Sequence, residues 1–205
     1  MSSQTRPRWL VWLLATLAAF SPLSIDTYLP SLPDIARELG TQDAQVQLTI
    51  GVFLAGLCSG MLLYGPLSDR YGRRRLLLGS LLLYILASVG CIWVASVEQL
   101  IVLRFLQAVG GAGALVLART VVRDLYPLSE AARMLSLMHV IAMVATLLAP
   151  IMGTYLVLLG GWRIIFVMLS LLGTGCLVAV AVALQESLPV EARTRCLLYT
   201  SDAAD

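Results

Sequence analysis

The chain has 205 residues, of which 59% are hydrophobic and 13% charged, with a formal net charge of +2. An average soluble domain carries about 25% charged residues, so a water-soluble globule could not hide this much apolar surface, and lipid is the expected solvent. All 14 basic residues are arginine and the aromatics are scattered along apolar runs, which argues against a nucleic-acid-binding face.

The chain opens with a polar stretch, residues 1–8, that carries Arg6 and Arg8. An apolar run near 9–29 follows. This start imitates a secretion signal, but no good cleavage site follows and the apolar pattern continues to Leu29, so it reads as an uncleaved first span. Ser31 to Gln47 reads as a polar loop. Further apolar runs lie near 46–66, 76–96, 99–121, 134–158 and 162–184. Each approaches the roughly 20 residues that cross a bilayer. The other connections are short, which forces antiparallel neighbours. The expected architecture is an all-α membrane domain of six transmembrane helices over residues 9–184, arranged as two inverted three-helix repeats. Residues 185–195 read as the start of a linker. The text from Cys196 to Asp205 breaks that linker's character and reads as a non-native end; an intact transcript with the same ending would defeat that reading.

Arginine placement sets the expected orientation. One face would carry Arg6, Arg8, Arg70, Arg73, Arg74, Arg75, Arg123, Arg133, Arg193 and Arg195, and the other only Arg37 and Arg163. The first face is expected to be cytoplasmic, with both chain ends there. Glycines punctuate the second and fourth spans (Gly51, Gly56, Gly60; Gly110, Gly111, Gly113), as suits close helix packing in lipid. Cys58, Cys91 and Cys176 sit in apolar runs and read as small packing residues. No cysteine–histidine cluster suggests a metal or a disulfide framework, and no cofactor is expected.

Two ionisable groups fall within spans. Asp26 lies near the outer end of the first and Arg104 near the outer start of the fourth, with Arg119 further along. An ionisable residue inside a membrane is a functional hypothesis by default. Asp26 and Arg104 are expected at similar depth, about a turn inside the boundary at roughly 1.5 Å per residue, so a charge pair across a cavity is allowed. The competing placements are an Asp26 at the headgroups and an Arg104 that snorkels outward. Burial favours a neutral carboxyl and a nearby guanidinium an ionised one, so a shift of either group would change proton occupancy. His139, the sole histidine, reads as an interfacial or satisfied side chain rather than a relay. Trp9, Trp12, Trp93 and Trp162 read as lipid-belt and packing residues.

Between the second and third spans lies Gly65-Pro66-Leu67-Ser68-Asp69-Arg70-Tyr71-Gly72-Arg73-Arg74-Arg75. Its arginines cannot enter lipid cheaply, so it reads as a glycine-punctuated turn at a membrane face, with Gly65 and Gly72 permitting tight turning. Asp69 would favour a neighbouring helix N-terminus, and Arg73 would meet Asp124. In the fifth span, Ala145, Ala149 and Gly153 share one small face, with Pro150 expected to kink the helix.

The Gly65–Arg75 sequence resembles the loop between helices 2 and 3 of the major facilitator superfamily. The likeness covers residues 8–195. It includes Asp26-Thr27-Tyr28-Leu29-Pro30-Ser31-Leu32-Pro33, Arg104-Phe105-Leu106-Gln107 through Gly113, Arg119, Arg123-Asp124-Leu125-Tyr126 and Gly161-Trp162-Arg163. The chain is similar to the N-terminal half of Bcr/CflA-type drug-resistance proton antiporters. The resemblance implies alternating access around a central cavity, with Asp26 and Arg104 in proton or substrate coupling. It implies a conformational charge network of Gly65, Asp69, Arg70, Gly72, Arg73, Arg74 and Asp124. Ala149, Pro150 and Gly153 resemble an antiporter motif, although Ala149 and Thr154 replace two of its glycines. The implied partners are protons, a small-molecule substrate such as an amphipathic drug, the lipid bilayer and a missing C-terminal half, with proton motive force as energy source and no nucleic acid. The implied location is the bacterial inner membrane. A proton symporter or facilitator for a metabolite, and a nonfunctional six-helix fragment, are the alternatives. An intramembrane serine protease fits poorly, since Gly56-Leu57-Cys58-Ser59-Gly60 does not match G-x-S-x-G.

Overall fold

In lipid a backbone amide must find a protein partner, within a helix or across a closed barrel, and apolar runs as long as those of this chain become helices. The structure, a computed structural model, describes residues 8–184 and Glu186. Residues 1–7, 185 and 187–205, with the expected tail, all of the expected linker but Glu186, and Arg6, Arg193, Arg195 and Cys196, lie outside the described residues. The elements in chain order are α1 (Arg8–Asp26), a 3-10 turn (Leu29–Ser31), α2 (Leu32–Glu38), α3 (Asp43–Tyr71), α4 (Arg73–Ile92), α5 (Val97–Leu125), α6 (Leu128–Gly160) and α7 (Arg163–Ala183). Among the described residues six helical segments are long and apolar enough to cross a membrane. They are α1 continued through α2, then α3, α4, α5, α6 and α7.

Two connections differ from expectation. The segment Ser31–Gln47 is largely helical: the 3-10 turn and α2 carry the chain to Glu38, and α3 begins at Asp43. Pro30 and Pro33 stand second in the two short helices, within the first turn, where the missing N–H has no helical partner to lose. The basic connection is likewise shorter than expected. Gly65 and Pro66 lie inside α3, which runs on to Tyr71, so Gly65 turns nothing. The reversal falls on Gly72 alone, at φ 93° and ψ 150°, and α4 starts at the next residue. That backbone conformation is open to glycine and strained for other residues.

Part of the packing forms exchanged pairs, alongside an extensive contact of α4 with α5. The first packs on the fifth (α1 on α6) as the fourth packs on the second (α5 on α3), while the third meets the sixth (α4 on α7). Exchanging the first three spans with the last three preserves these pairings, and the chain direction reverses between them. The helices α1 and α5 are the most enclosed and α6 the least. Close approach rests on small residues: a Cβ at Gly110 would stand 2.6 Å from the Tyr84 amide nitrogen, and one at Gly56 2.7 Å from the Phe105 carbonyl oxygen.

Polar clusters pin both ends of the bundle. At the end away from the arginine-rich connection, Glu38 accepts a 2.6 Å hydrogen bond from Trp162 Nε1 and pairs with Arg163. Arg163 also donates to the carbonyls of Ile92 at 2.9 Å and Val94 at 3.1 Å, and its guanidinium lies 4.3 Å above the Trp162 ring. The carbonyls that close α4 thus gain partners that the helix cannot give them. Trp162 is 1% exposed, which makes it part of this cluster and of the core, not of a lipid belt.

A glycine-to-alanine change in an open helix stabilises by about 1 kcal/mol. Gly79 of α4 is exposed with nothing near its missing Cβ, so Gly79→Ala is expected to raise the thermal midpoint. At Gly153 the added Cβ would collide with the Thr27 backbone. There Gly153→Ala is expected to lower stability by about 1–3 kcal/mol, the usual cost of overpacking. Equal shifts of the same sign, measured by thermal unfolding in detergent, would contradict the packing of α1 on α6.

Candidate functional site

A groove runs between α1, α5 and α6. It has two adjoining lobes of about 600 and 550 Å³ that share Ala18, Arg119, His139 and Ala142. Small side chains on α1 and α6 leave this space open. Asp26, the last residue of α1, is half-buried, and its carboxyl interacts with Thr146, a residue of the second lobe. The acid therefore faces α6.

Arg104 lies elsewhere. Its side chain is fully enclosed, so it does not snorkel. Nη1 donates to Gln107 Oε1 at 2.8 Å and Nη2 to the Ser24 carbonyl at 3.2 Å. The guanidinium carbon stands 4.3 Å from the ring centres of both Tyr28 and Phe53, and 5.9 Å from that of Phe166. Nε has no partner. Gln107 passes the network on to Ser88 Oγ at 2.8 Å, while Ser24 Oγ and the Tyr84 hydroxyl are 2.6 Å apart. No ion pair joins Asp26 to Arg104 among the described residues. The reason is rotational. Ser24 and Asp26 are two residues apart, about 200° around a helix with 3.6 residues per turn. One side of α1 meets Arg104 inside the bundle; the other carries Asp26 to the groove.

The second cluster forms at the arginine-rich end. Arg73 is 8% exposed. It bonds Asp69 Oδ1 at 2.6 Å and Asp124 Oδ2 at 3.1 Å, and also reaches Ser68 Oγ. Asp69 is expected to serve a helix N-terminus, yet it lies in the last turn of α3 and pairs with the Arg73 side chain. The N-terminus of α4 is served instead by Glu186, which accepts from the amides of Arg73 at 2.8 Å and Arg74 at 3.4 Å. Arg74 donates to the Ala181 carbonyl at 2.6 Å, near the end of α7. Arg70 stands apart, exposed, with its guanidinium carbon 5.3 Å from the Tyr71 ring centre. Gly72 makes the break that brings Arg73 into this cluster.

On α6, Ala149 is buried and Gly153 abuts the Thr27 backbone, so the small face meets α1. Pro150 is exposed, and α6 runs through it from Leu128 to Gly160 without interruption. Sequence reasoning did not single out Glu186, Glu38 or Thr146, nor did it place Arg119 and His139 on a common wall. For Arg119 a signal existed, since it is a second arginine within the fourth span; the others depend on contacts between distant segments.

The family model described as Major Facilitator Superfamily matches residues 14–195. The chain is 39% identical to an uncharacterized MFS-type transporter, YdgK, of Bacillus subtilis, over 94% of this chain and 48% of that protein. It is 39% identical to a chloramphenicol resistance protein of Pseudomonas aeruginosa, over 85% of this chain and 43% of that one. It is 33% identical to multidrug resistance protein D of Escherichia coli, over 92% and 48%. The fold is similar to that of the proton:xylose symporter XylE bound to 6-bromo-6-deoxy-D-glucose, with a TM-score of 0.77 at 18% identity, covering 87% of this chain and 45% of that one. The chain spans about half the length of the curated relatives it matches. With six apolar spans, some packed in exchanged pairs, and a family match over nearly all of the described residues, this chain belongs to the Major Facilitator Superfamily.

Proposed function

We propose that this chain is the first half of a proton-coupled exporter of drug-sized molecules, working by alternating access. The observation that carries the reading is Asp26, an acid within a span and beside a groove large enough for a small molecule. The drug-resistance names of the relatives support export as the direction. A second bundle of similar size would close the groove from the opposite side and rock against this one.

In this reading the Asp26 carboxyl holds either a proton or a donor group of the cargo. Competition between the two converts a proton gradient into export. A membrane potential supplies about 2.3 kcal/mol per charge per 100 mV, enough to bias that exchange. Arg104 acts as a positioning residue, since it fixes the α1 turn from behind without touching the groove. The cluster of Asp69, Arg73, Asp124 and Glu186 stabilises one facing state, and the arginine-rich end is the cytoplasmic one.

In the full-length protein, Asp26→Asn is expected to abolish efflux driven by a pH gradient, measured with a fluorescent substrate in proteoliposomes. Retained gradient-driven efflux would refute the role of Asp26. Substrate accumulation along the proton gradient would instead make this half of a symporter.

Asp69→Asn removes one carboxylate of the Arg73 cluster. A half-exposed ion pair contributes up to about 1 kcal/mol, which corresponds to roughly a fivefold population shift. Labelling rates of cysteines placed along the groove should change by up to about that factor, with substrate affinity little altered. Unchanged labelling would count against the cluster as a conformational lock.

A further inference from the structure

We propose that the Arg119–His139 end of the groove is a subsite for an oxyanion (a carboxylate, sulfonate or phosphate) on an amphiphilic molecule, an assignment that rests on the groove being a substrate path. Arg119 and Arg123 are one turn apart on α5, and Ser136 and His139 one turn apart on α6; such spacings place side chains on one helix face. All four line the same lobe of about 600 Å³. No aspartate or glutamate lines either lobe. Among the described residues neither arginine forms an ion pair.

Guanidinium groups grip oxyanions with two parallel hydrogen bonds, and low-dielectric walls concentrate their field. Leu115, Met143 and Leu147 give an apolar wall for the rest of the molecule. Asp26 lies eight residues along α1 from Ala18, about 12 Å at the helical rise. The groove is thus lined by basic groups at one end, while the Asp26 carboxyl stands outside its lining, against Thr146 near the other end.

The test uses the full-length protein in phosphatidylcholine nanodiscs, corrected for empty discs. Two flat probes of matched size and opposite charge, 1-pyrenesulfonate and 1-pyrenemethylammonium, are titrated by equilibrium dialysis. The sulfonate should bind saturably and more tightly than the ammonium. Arg119→Gln should weaken sulfonate binding about tenfold, the factor for one lost charge-assisted bond, and Arg119→Lys should restore part of it. Arg119→Glu should reverse the preference, an outcome that misfolding cannot imitate. Equal affinity for both probes, or unchanged sulfonate binding in Arg119→Gln, overturns the proposal and leaves Arg119 to pair with a carboxylate elsewhere in the protein. Adding phosphatidylglycerol to the discs separates the two sources of such an anion, because only a lipid-headgroup site would lose the probe to it. Failed efflux with intact anion preference would count against the transport reading alone; intact efflux without anion preference would remove this subsite alone.

Discussion

A guanidinium sealed among helices with no carboxylate beside it fixes the geometry on which the groove depends. Burying a lone charge carries a penalty of several kcal/mol. Arg104 offsets it by other means: two hydrogen bonds and the faces of Tyr28 and Phe53, with Phe166 further off. Each desolvated cation–ring contact contributes about 2 kcal/mol. These partners come from α3, α5, α7 and the end of the first span, so one side chain bridges four segments. Its bond to the Ser24 carbonyl sets the rotation of the last turn of α1. That rotation directs Asp26 away from the cation and toward α6.

The two ends of the bundle are held by related means. At each, an arginine engages carboxylates while helix termini find partners they could not find internally. Arg163 takes the carbonyls that close α4 and the Glu38 carboxylate. Glu186 takes the amides that open α4, beside Arg73 and its two aspartates. Helix α4 is therefore clamped at both ends to the α7 side of the bundle, while α1, α5 and α6 enclose the groove.

The spans themselves were legible, because twenty-residue apolar runs admit few other structures in lipid. Their ends were less so. Seven-residue α2 is too short to show a helical period; it buries Ile35 and Ala36 and exposes Arg37 and Glu38, which reads as a polar loop. Gly65 and Pro66 look like a turn, yet α3 absorbs them, and only the positive φ of Gly72 ends it. Asp26 and Arg104 could be singled out by their cost in lipid, but their partners could not. Two residues of helical rotation decide whether an acid meets a base, and a sequence gives no absolute azimuth. Glu186 was invisible for a different reason, since it meets Arg73 across 113 residues of chain.

The opposed faces of α1 can be measured directly. In the full-length protein with its own cysteines replaced, Ser24→Cys and Asp26→Cys are compared for reaction with a water-soluble maleimide, with Arg104 intact and with Arg104→Met. The account predicts fast labelling at 26 and protection at 24, with protection at 24 lost once Arg104 is removed. Equal labelling at 24 and 26 while Arg104 is present would contradict it.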